Sequence, residues 1–291
     1  MSPKKPIEEC TVGIVGLGLM GGAIALALRK ERIVRESGQL LACDIDAGTI
    51  GAALGEGVID EGFTEPEAML GRCNVVFLCL NPSTLLRFMN QYMAAFRTGA
   101  LLTDIAGIKG GIVAAMEQSL RDDLDFIPGH PMAGSEKGGF ANAAYCNFHG
   151  KNYILTPLVR NKPENLSFLK TVIHRMGFSC ITETTGLDHD RKIAFTSELC
   201  HVIAAALIDC EPDTDITRFG GGSFEDLTRI AMLNAPMWTE IFLENRVELL
   251  ARISQFEGSL SKIKGLIAGE QREELEINLC AVRERRAAMS G

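Results

Sequence analysis

Short apolar runs alternate with helix-length segments through roughly the first 185 residues of the chain. The run at residues 75–80 is apolar without a break, which is typical of a strand buried on both faces of a parallel sheet. The segments between the runs are long enough to form crossover helices. The pattern therefore predicts an α/β fold on a parallel sheet, with strands at residues 11–15, 40–43, 75–80, 101–103, 126–127, 153–155 and 180–182.

The pattern changes after residue 185. Helical periodicity runs from residue 186 to about 209, from 236 to about 265 and from 270 to 289, with a Gly/Asp/Thr-rich connection near 211–223. A chain of 291 residues is about twice the size of a typical domain. We therefore divide it into an α/β domain, residues 1–185, and an all-α domain, residues 186–291. The apolar faces of these helices exceed what a small monomeric unit can bury, which predicts a homodimer.

Composition excludes several classes of protein. With 46% hydrophobic and 23% charged residues the chain is globular, and its net charge of −8 has the wrong sign for binding nucleic acid or an anionic membrane. The uncharged stretch at residues 11–28 contains five glycines, which favours a strand, turn and helix over a membrane span. Nine cysteines without a C-x-x-C pair indicate buried thiols in a reducing cytoplasm. Five scattered histidines lack metal-site spacing, so we expect no metal.

A glycine-rich turn joins the first predicted strand to a helix predicted at residues 20–29. It reads G-x-G-x-x-G, in which the first glycine permits a tight turn, the second admits a pyrophosphate and the third lets helix and strand pack closely. The free N–H groups at the start of the helix then bind phosphate. We therefore expect a Rossmann domain whose dinucleotide contacts Gly16, Leu17, Gly18, Leu19, Met20 and Gly21.

Asp44 comes at the end of the second predicted strand, twenty-six residues after Gly18. An acidic side chain at this place accepts hydrogen bonds from the adenosine ribose hydroxyls and repels a 2′-phosphate. We therefore expect the cofactor to be NAD and not NADP. The alternative is that Asp44 or Asp46 only caps the next helix, and Asp46 is the better placed of the two for that role.

A histidine follows the fifth predicted strand, in the segment G-H-P-M-A-G-S-E at residues 129–136. Open α/β folds bind ligands at this carboxyl edge of the sheet. The ordinary pKa of histidine lets it accept a proton near neutral pH. On these residues alone, His130 is either a catalytic base or the anchor of a Pro/Gly loop.

Several segments together resemble the prephenate dehydrogenase family in their order and spacing. They are T-D-I-A-G-I-K-G at residues 103–110, the stretch at 130–139, N-Y-I-L-T-P at 152–157, T-S-E-L-C-H at 196–201, F-E-D-L-T-R-I-A at 224–231, and M-W at 237–238 through E-N at 244–245. The resemblance extends from residue 11 to about residue 260. It implies NAD-dependent oxidative decarboxylation of prephenate to 4-hydroxyphenylpyruvate, a step of tyrosine biosynthesis.

The same resemblance implies roles for individual residues. His130 would bond the ring hydroxyl of prephenate and accept its proton, Arg229 would bind the ring carboxylate, and His201 would line the other end of the pocket. Ser197 comes one helical turn before His201, and Ser135 lies in the histidine loop. We therefore include both serines among the candidate substrate-binding residues.

Some of these residues admit a second interpretation. Arg229 could form only an ion pair with Asp226, three residues before it, and His201 could be a core histidine. The pair at residues 189–190 is typical of the start of a helix, although Asp190 could also orient a group in the pocket. Gly107 stands where the family commonly has a serine that helps to orient the histidine or the substrate. A water molecule, Ser135 or the cofactor ribose could take over that role.

Other functions fit part of the sequence. Arogenate carries an ammonium group where prephenate has a keto oxygen, and Glu198 could favour arogenate if it faces the pocket. A non-catalytic NAD-binding regulator is a second alternative, with Gly107 as a trace of lost chemistry. The β-hydroxyacid dehydrogenases share the glycine motif, but their G-x-x-G-x-G-x-x-x-K segment does not occur here.

Overall fold

A parallel sheet forms the centre of the first part of the chain. The computed structural model describes residues 5–34, 37–134 and 137–289. The strands of this sheet are β1 (Thr11–Val15), β2 (Gln39–Cys43), β3 (Glu61–Phe63), β4 (Val75–Leu78), β5 (Leu101–Asp104) and β6 (Asp125–Ile127). They are all parallel and lie in the order β3-β2-β1-β4-β5-β6. The order reverses between β1 and β4, which in doubly wound sheets marks the ligand crevice at the carboxyl edge.

Helices cover both faces of this sheet. They are α1 (Leu19–Lys30), α2 (Ala47–Gly55), α3 (Glu67–Leu70), α4 (Pro82–Tyr92), α5 (Gly110–Ser119) and α6 (Pro163–Arg175). Alternate residues of β4 enter two different cores. Val75 and Phe77 pack in the core that contains residues of α1 and α6, while Val76 and Leu78 pack in the core that contains residues of α4 and α5. Burial on both faces explains the unbroken apolar run of this strand.

The expectation of one sheet for all the predicted strands is wrong. A second sheet consists of β7 (Gly129–Pro131), β8 (Asn152–Leu155) and β9 (Cys180–Glu183), with β8 antiparallel to β7 and parallel to β9. Only Pro128 separates β6 from β7, so no crossover helix fits between them and the chain leaves the first sheet. The short strands β3 and β7 lack an apolar run, which is why the pattern did not predict them.

The rest of the described chain is helical, as the change of pattern predicts. It contains α7 (Gly186–Ile193), a π-helical turn (Ala194–Glu198), α8 (Leu199–Asp209), a 3₁₀ turn (Thr214–Phe219), α9 (Gly222–Thr228), a 3₁₀ turn (Arg229–Ala231), α10 (Ala235–Glu244), α11 (Arg246–Ala268) and α12 (Arg272–Ala288). The long helix predicted at 236–265 is broken at Asn245, which ends α10 and precedes α11. The fold is therefore a Rossmann-type parallel sheet followed by an all-α region.

Two expectations from composition can be compared with the fold. In the described ranges, none of the helices has both the length and the apolar character required to cross a bilayer. The expectation of buried thiols is correct for Cys10, Cys43 and Cys73, whereas Cys180, Cys200 and Cys210 are exposed. These exposed cysteines lie at the start of β9 and on or after α8, on surfaces that the apolar pattern around them did not distinguish from the core.

Candidate active site

The glycine turn has the backbone that its sequence predicts. Gly16 has φ of +89°, a left-handed conformation that favours glycine, and a Cβ there would lie 2.6 Å from the carbonyl oxygen of Cys79. A Cβ at Gly21 would overlap the carbonyl oxygen of Gly16, so the third glycine allows α1 to pack against the turn. Leu17, between the first two glycines, is fully buried.

Gly18 differs from the other two glycines of the motif. A Cβ at Gly18 would meet no atom within 4 Å, so packing within the protein does not require glycine here. Gly18 is the N-cap of α1, makes no side-chain cap and leaves the first N–H groups of Leu19, Met20 and their neighbours without a capping side chain. An open cradle at an uncapped helix N-terminus fits the pyrophosphate of a dinucleotide.

Asp44 lies against the glycine turn and does not cap a helix. Its Oδ2 accepts the backbone N–H of Leu17 at 2.7 Å, and its Oδ1 accepts the backbone N–H of Asp46 at 2.9 Å. Asp46 is the N-cap of α2 and accepts from the N–H groups of Gly48 and Thr49. The side chain of Asp44 is therefore held beside the turn by backbone amides, where a carboxylate can also meet the ribose of a nucleotide.

His130, in β7, belongs to a chain of hydrogen bonds that crosses to α7. His130 Nδ1 lies 2.9 Å from His189 Nε2, and His189 Nδ1 lies 2.7 Å from Asp190 Oδ1. The carboxylate of Asp190 also accepts the backbone N–H groups of Lys109 at 2.8 Å and Gly110 at 2.7 Å. His189 and Asp190 are buried, whereas His130 is half-buried. Asp190 thus joins α7 to the start of α5.

These bonds determine which nitrogen of each ring carries hydrogen. A carboxylate only accepts, so His189 Nδ1 is the donor to Asp190 and His189 Nε2 has a free lone pair. His130 Nδ1 must then donate to that lone pair. The remaining nitrogen, Nε2 of His130, is left without hydrogen and can accept a proton. Asp190 therefore orients His189, and His189 orients His130, which extends by one imidazole the arrangement in which an acidic residue orients the base directly.

The electrostatic surroundings keep both rings neutral near pH 7. Burial lowers the pKa of His130 well below its ordinary value, and His189 and Lys109 lower it further. Burial also lowers the pKa of His189, although its hydrogen bond to Asp190 opposes this. His130 can therefore begin a reaction as a base and not as an imidazolium ion.

A buried ion pair between Lys109 and Asp104 supports β7, the strand that carries His130. The ammonium of Lys109 contacts Asp104 Oδ2, and both side chains are fully buried. The other oxygen of Asp104 accepts the N–H of Gly129, directly before His130, at 3.1 Å, and Oδ2 also accepts the N–H of Ala106 at 2.9 Å. Burial lowers the pKa of Lys109, which Asp104 opposes. The pair thus fixes the loop after β5 and the start of β7 relative to each other.

His201 lies on α8 against the tryptophan of α10. Its Nδ1 is 2.9 Å from the carbonyl oxygen of Ser197, so Nδ1 carries the hydrogen, and its ring centroid is 3.8 Å from that of Trp238. Burial lowers the pKa of His201, and the ring is neutral near pH 7. Its Nε2 is therefore a hydrogen-bond acceptor. His201, Ser197 and Trp238 are all half-buried, which a wall of a pocket requires.

The remaining candidate residues differ in their positions relative to His201. Arg229 is exposed and begins a 3₁₀ turn that packs on α8, the helix of His201. Ser135 lies outside the described residues. Glu198 is fully buried, with Oε1 accepting from Asn245 Nδ2 at 2.9 Å, so it does not face a pocket as suggested for arogenate. The condition under which Glu198 could favour arogenate is therefore not met; Glu198 is the last residue of the π-helical turn and is buried.

Sequence reasoning missed four residues of this site: Asp104, Lys109, His189 and Asn245. For Asp190 it left two roles open. Asp190 in fact caps α5 and orients His189. The two amides that Asp190 caps, those of Lys109 and Gly110, are 81 and 80 residues away along the chain, so no local pattern identifies them. The sequence signal that could have identified Asp104 and Lys109 is the presence of charged residues within an apolar segment, T-D-I-A-G-I-K.

Comparisons with known proteins agree for both parts of the chain. A family model described as the nucleotide-binding domain of prephenate dehydrogenase matches residues 24–182, and one described as its dimerization domain matches residues 185–280. Prephenate dehydrogenase of Bacillus subtilis is 30% identical over 271 residues, which are 91% of this chain and 72% of that protein.

Solved structures extend the likeness. Prephenate dehydrogenase of Aquifex aeolicus, in complex with hydroxyphenyl propionate and NAD⁺, has a TM-score of 0.85 and 32% identity, covering 98% of this chain and all of that one. Arogenate dehydrogenase of Synechocystis has a TM-score of 0.78 and 27% identity, covering 96% of this chain and 99% of that one. Relatives that act on two related substrates thus share this architecture.

Proposed function

The chain belongs to the prephenate dehydrogenase family, and we propose that it catalyses the NAD-dependent oxidative decarboxylation of prephenate to 4-hydroxyphenylpyruvate in tyrosine biosynthesis. The observation that carries the proposal is the hydrogen-bonded series His130–His189–Asp190. It leaves Nε2 of a neutral, half-buried His130 free to accept a proton at the carboxyl edge of the sheet.

His130 is the catalytic base in this proposal. Bound NAD supplies the acceptor for the hydride that leaves the hydroxyl-bearing carbon. His130 Nε2 takes the hydroxyl proton as that carbon is oxidised, and the positive charge is shared with His189 and stabilised by Asp190. When the bond to the ring carboxylate breaks and carbon dioxide departs, the electron pair aromatises the ring. The proton then returns from His130 to the ring oxygen, so the reaction releases no net proton.

The residues that hold the cofactor are those of the glycine turn and Asp44. Gly18 leaves space for the pyrophosphate, and the start of α1 at Leu19 and Met20 offers N–H groups to it. Asp44, fixed by the amides of Leu17 and Asp46, accepts from the ribose hydroxyls and disfavours a 2′-phosphate. These contacts favour NAD over NADP.

Arg229, His201 and Ser197 are the candidate substrate-binding residues among those described, and Ser135 is a candidate from the sequence alone. Arg229 has a planar guanidinium that can bind the ring carboxylate with two hydrogen bonds. In this proposal His201 binds the far end of the substrate; the contact between its helix and the turn of Arg229 supports this role. Alignment and neutralisation of charge are the main tasks of such a pocket, because loss of carbon dioxide is driven by aromatisation.

Arogenate is the second candidate substrate, and one observation favours it. His201 uses its Nδ1–H on the carbonyl of Ser197, so its neutral ring presents an acceptor at Nε2. An acceptor there suits the ammonium of arogenate better than the keto oxygen of prephenate. The arogenate dehydrogenase of Synechocystis has the same architecture.

The division of labour along the chain belongs to the same proposal. Residues 1–185 form the dinucleotide-binding domain, and residues 186–291 form the helical domain for substrate binding and dimerisation. The enzyme acts in the cytoplasm as a homodimer on a small-molecule substrate. The exposed apolar residues of the last two helices support the homodimer.

The test is the rate of reduced-nicotinamide formation with NAD or NADP, offered prephenate or arogenate separately. We expect NAD reduction that depends on prephenate and falls by at least 10²-fold in His130→Asn. Because His130 must be unprotonated, activity should persist below pH 6.5 and fall only as the pH drops through its lowered pKa. An arogenate preference would change only the substrate. NAD binding without turnover of either compound would instead support a non-catalytic regulator.

A further inference from the structure

A buried asparagine lies behind the acidic residue of the histidine series. Asn245 ends α10 and precedes α11, with backbone angles of −103° and 21° that interrupt the two helices. Its side-chain amide donates to the backbone carbonyl of Asp190 and to Glu198 Oε1, each at 2.9 Å. Both hydrogens of the amide are therefore used, one on each end of the segment that carries α7 and the π-helical turn.

Glu198 holds this asparagine from a position closed to solvent. Its side chain is fully buried, and within the described ranges Oε2 has no hydrogen-bond partner. The pKa of Glu198 is raised to about 7, mainly by burial and also by the charge of Asp190, and the hydrogen bond from Asn245 opposes this rise. A carboxyl group with one donor and no cation is more stable buried in its protonated form. The protonated group still offers its carbonyl oxygen, Oε1, to Asn245.

Asp190 is thus fixed from two sides. Its carboxylate is held by the backbone amides of Lys109 and Gly110, across the interface with α5, and its carbonyl is held by Asn245. Between these attachments it orients His189, which orients His130. A shift of α7 at Asp190 would therefore be transmitted to His130 Nε2, about two side chains away.

We propose that Asn245, held in turn by Glu198, is a positioning residue that sets the geometry of His189 and Asp190 and through them the basicity of His130. The inference rests on the proposed role of His130 as the base. It assigns a catalytic purpose to the junction of α10 and α11, where the backbone of Asn245 keeps its helical hydrogen bonds to Ile241 and from Leu249 while its side chain binds Asp190 and Glu198. In this role Asn245 contacts other residues of the protein and does not touch the substrate.

The test compares Asn245→Leu, which keeps the volume and removes both donors, with Asn234→Ala at the other end of α10. Asn234 is exposed and caps α10, so its loss reports helix stability alone. The readouts are kcat, KM for NAD, and the pKa of His130 measured by NMR in the cofactor-free protein, with His130→Asn to assign the signal. We expect Asn245→Leu to lower kcat at least tenfold with KM for NAD within twofold. The pKa of His130 should rise, because a loosened series admits water.

Glu198 provides a second, independent pair of variants. Glu198→Gln keeps an oxygen acceptor for Asn245 and should retain kcat within about twofold of wild type, whereas Glu198→Leu removes it and should behave as Asn245→Leu does. If Asn245→Leu does not fold, this pair decides the question. The proposal is overturned if Asn245→Leu or Glu198→Leu lowers only the melting temperature, with kcat and the pKa of His130 unchanged. It is also overturned if Glu198→Gln is as damaging as Glu198→Leu.

Failure of the proposed function would be seen separately. If the wild-type protein turns over neither prephenate nor arogenate, the assignment of the reaction fails. The NMR titration of His130 needs neither turnover nor bound cofactor. An unchanged pKa of His130 in Asn245→Leu would then refute the positioning role by itself, and a raised pKa would support it.

Discussion

Gly107 lies in the loop after β5 at a place where the family resemblance leads us to expect serine. A Cβ at Gly107 would lie 3.6 Å from Ile241 Cδ1, an ordinary van der Waals contact, and nothing nearer opposes it. Gly107→Ser should therefore fold, and we expect its kcat to equal or exceed that of wild type, because the added hydroxyl can help to orient His130 or the substrate.

The control for this substitution is Gly21→Ser, in which the new Cβ overlaps the carbonyl oxygen of Gly16. That variant should lose NAD affinity or fail to fold, because α1 can no longer pack against the turn. Steady-state kinetics and circular dichroism measure both variants. A folded but inactive Gly107→Ser would show that the loop is aligned wrongly with the family.

Glu198 links a single carboxyl group to the pH dependence of stability. Its pKa is about 7 in the folded chain against an ordinary 4.5, so the folded state holds the proton more tightly than the unfolded state. The stabilising contribution of this group is present below pH 4.5 and is lost as the pH rises through 7. Glu198→Gln cannot ionise. Relative to wild type, the unfolding free energy of Glu198→Gln should therefore increase by on the order of 2 kcal/mol between pH 4.5 and pH 7.

Urea unfolding of both proteins at pH 5 and pH 8 measures this difference. The matched control is Glu244→Gln, an exposed residue at the end of α10, for which the difference should be the same at both pH values. A Glu198→Gln variant whose advantage does not change with pH would mean that Glu198 is charged in the folded protein.

At the scale of elements, α10 contacts residues in both parts of the chain, beside the candidate active site. Trp238 stacks on His201, Glu240 reaches the start of α4, Ile241 faces Gly107, and Asn245 holds Asp190. The contacts of Trp238, Ile241 and Asn245 recur every three to four residues, which is the spacing of one helix face, whereas Glu240 does not share this spacing. A single helix thus supports both the substrate end and the proton-accepting end of the candidate site.

Glu240 gives this element a measurable contribution to stability. Its Oε1 accepts the backbone N–H of Ser83 at 2.6 Å, at the N-terminus of α4, where Asn81 provides no side-chain cap. Glu240→Ala removes this cap and its favourable interaction with the helix dipole, at a cost of about 1 kcal/mol. Thermal unfolding of Glu240→Ala and of Glu244→Ala, which lies one turn further on, checks the expectation. Equal melting temperatures in the two variants would refute the capping role.

For the molecule as a whole, predictability from sequence depended on how far apart the interacting residues lie. The apolar run at 75–80 and the glycine turn are local, and they suffice to predict a parallel sheet with a dinucleotide crevice. The pairing of β7 with β8 depends on contacts between residues 129–131 and 153–155, so the pattern did not separate the second sheet. Asn245 breaks a helix without a glycine or proline, because Asp190 and Glu198 satisfy its side chain.

The exposed apolar residues of the last helix predict the quaternary structure. No residue of α12 is buried, and Ile277, Leu279 and Val282 are each more than half exposed. The hairpin of α11 and α12 therefore exposes apolar surface that predicts a partner chain, and a family model of a dimerization domain extends to residue 280. We expect light scattering at micromolar concentration to give twice 31.5 kDa. The double variant Ile277→Glu, Val282→Glu should give a monomer.

The control for added charge is Ser167→Glu, Thr171→Glu on the exposed face of α6, which should remain a dimer. If the hairpin is the interface, the monomeric variant should still bind NAD, because the glycine turn and Asp44 lie in the other part of the chain. Its kcat should fall if dimerisation also holds α11, which follows Asn245, in place. A monomeric wild-type protein would refute the interface, and a dimeric hairpin variant would move it to another surface of the helical region.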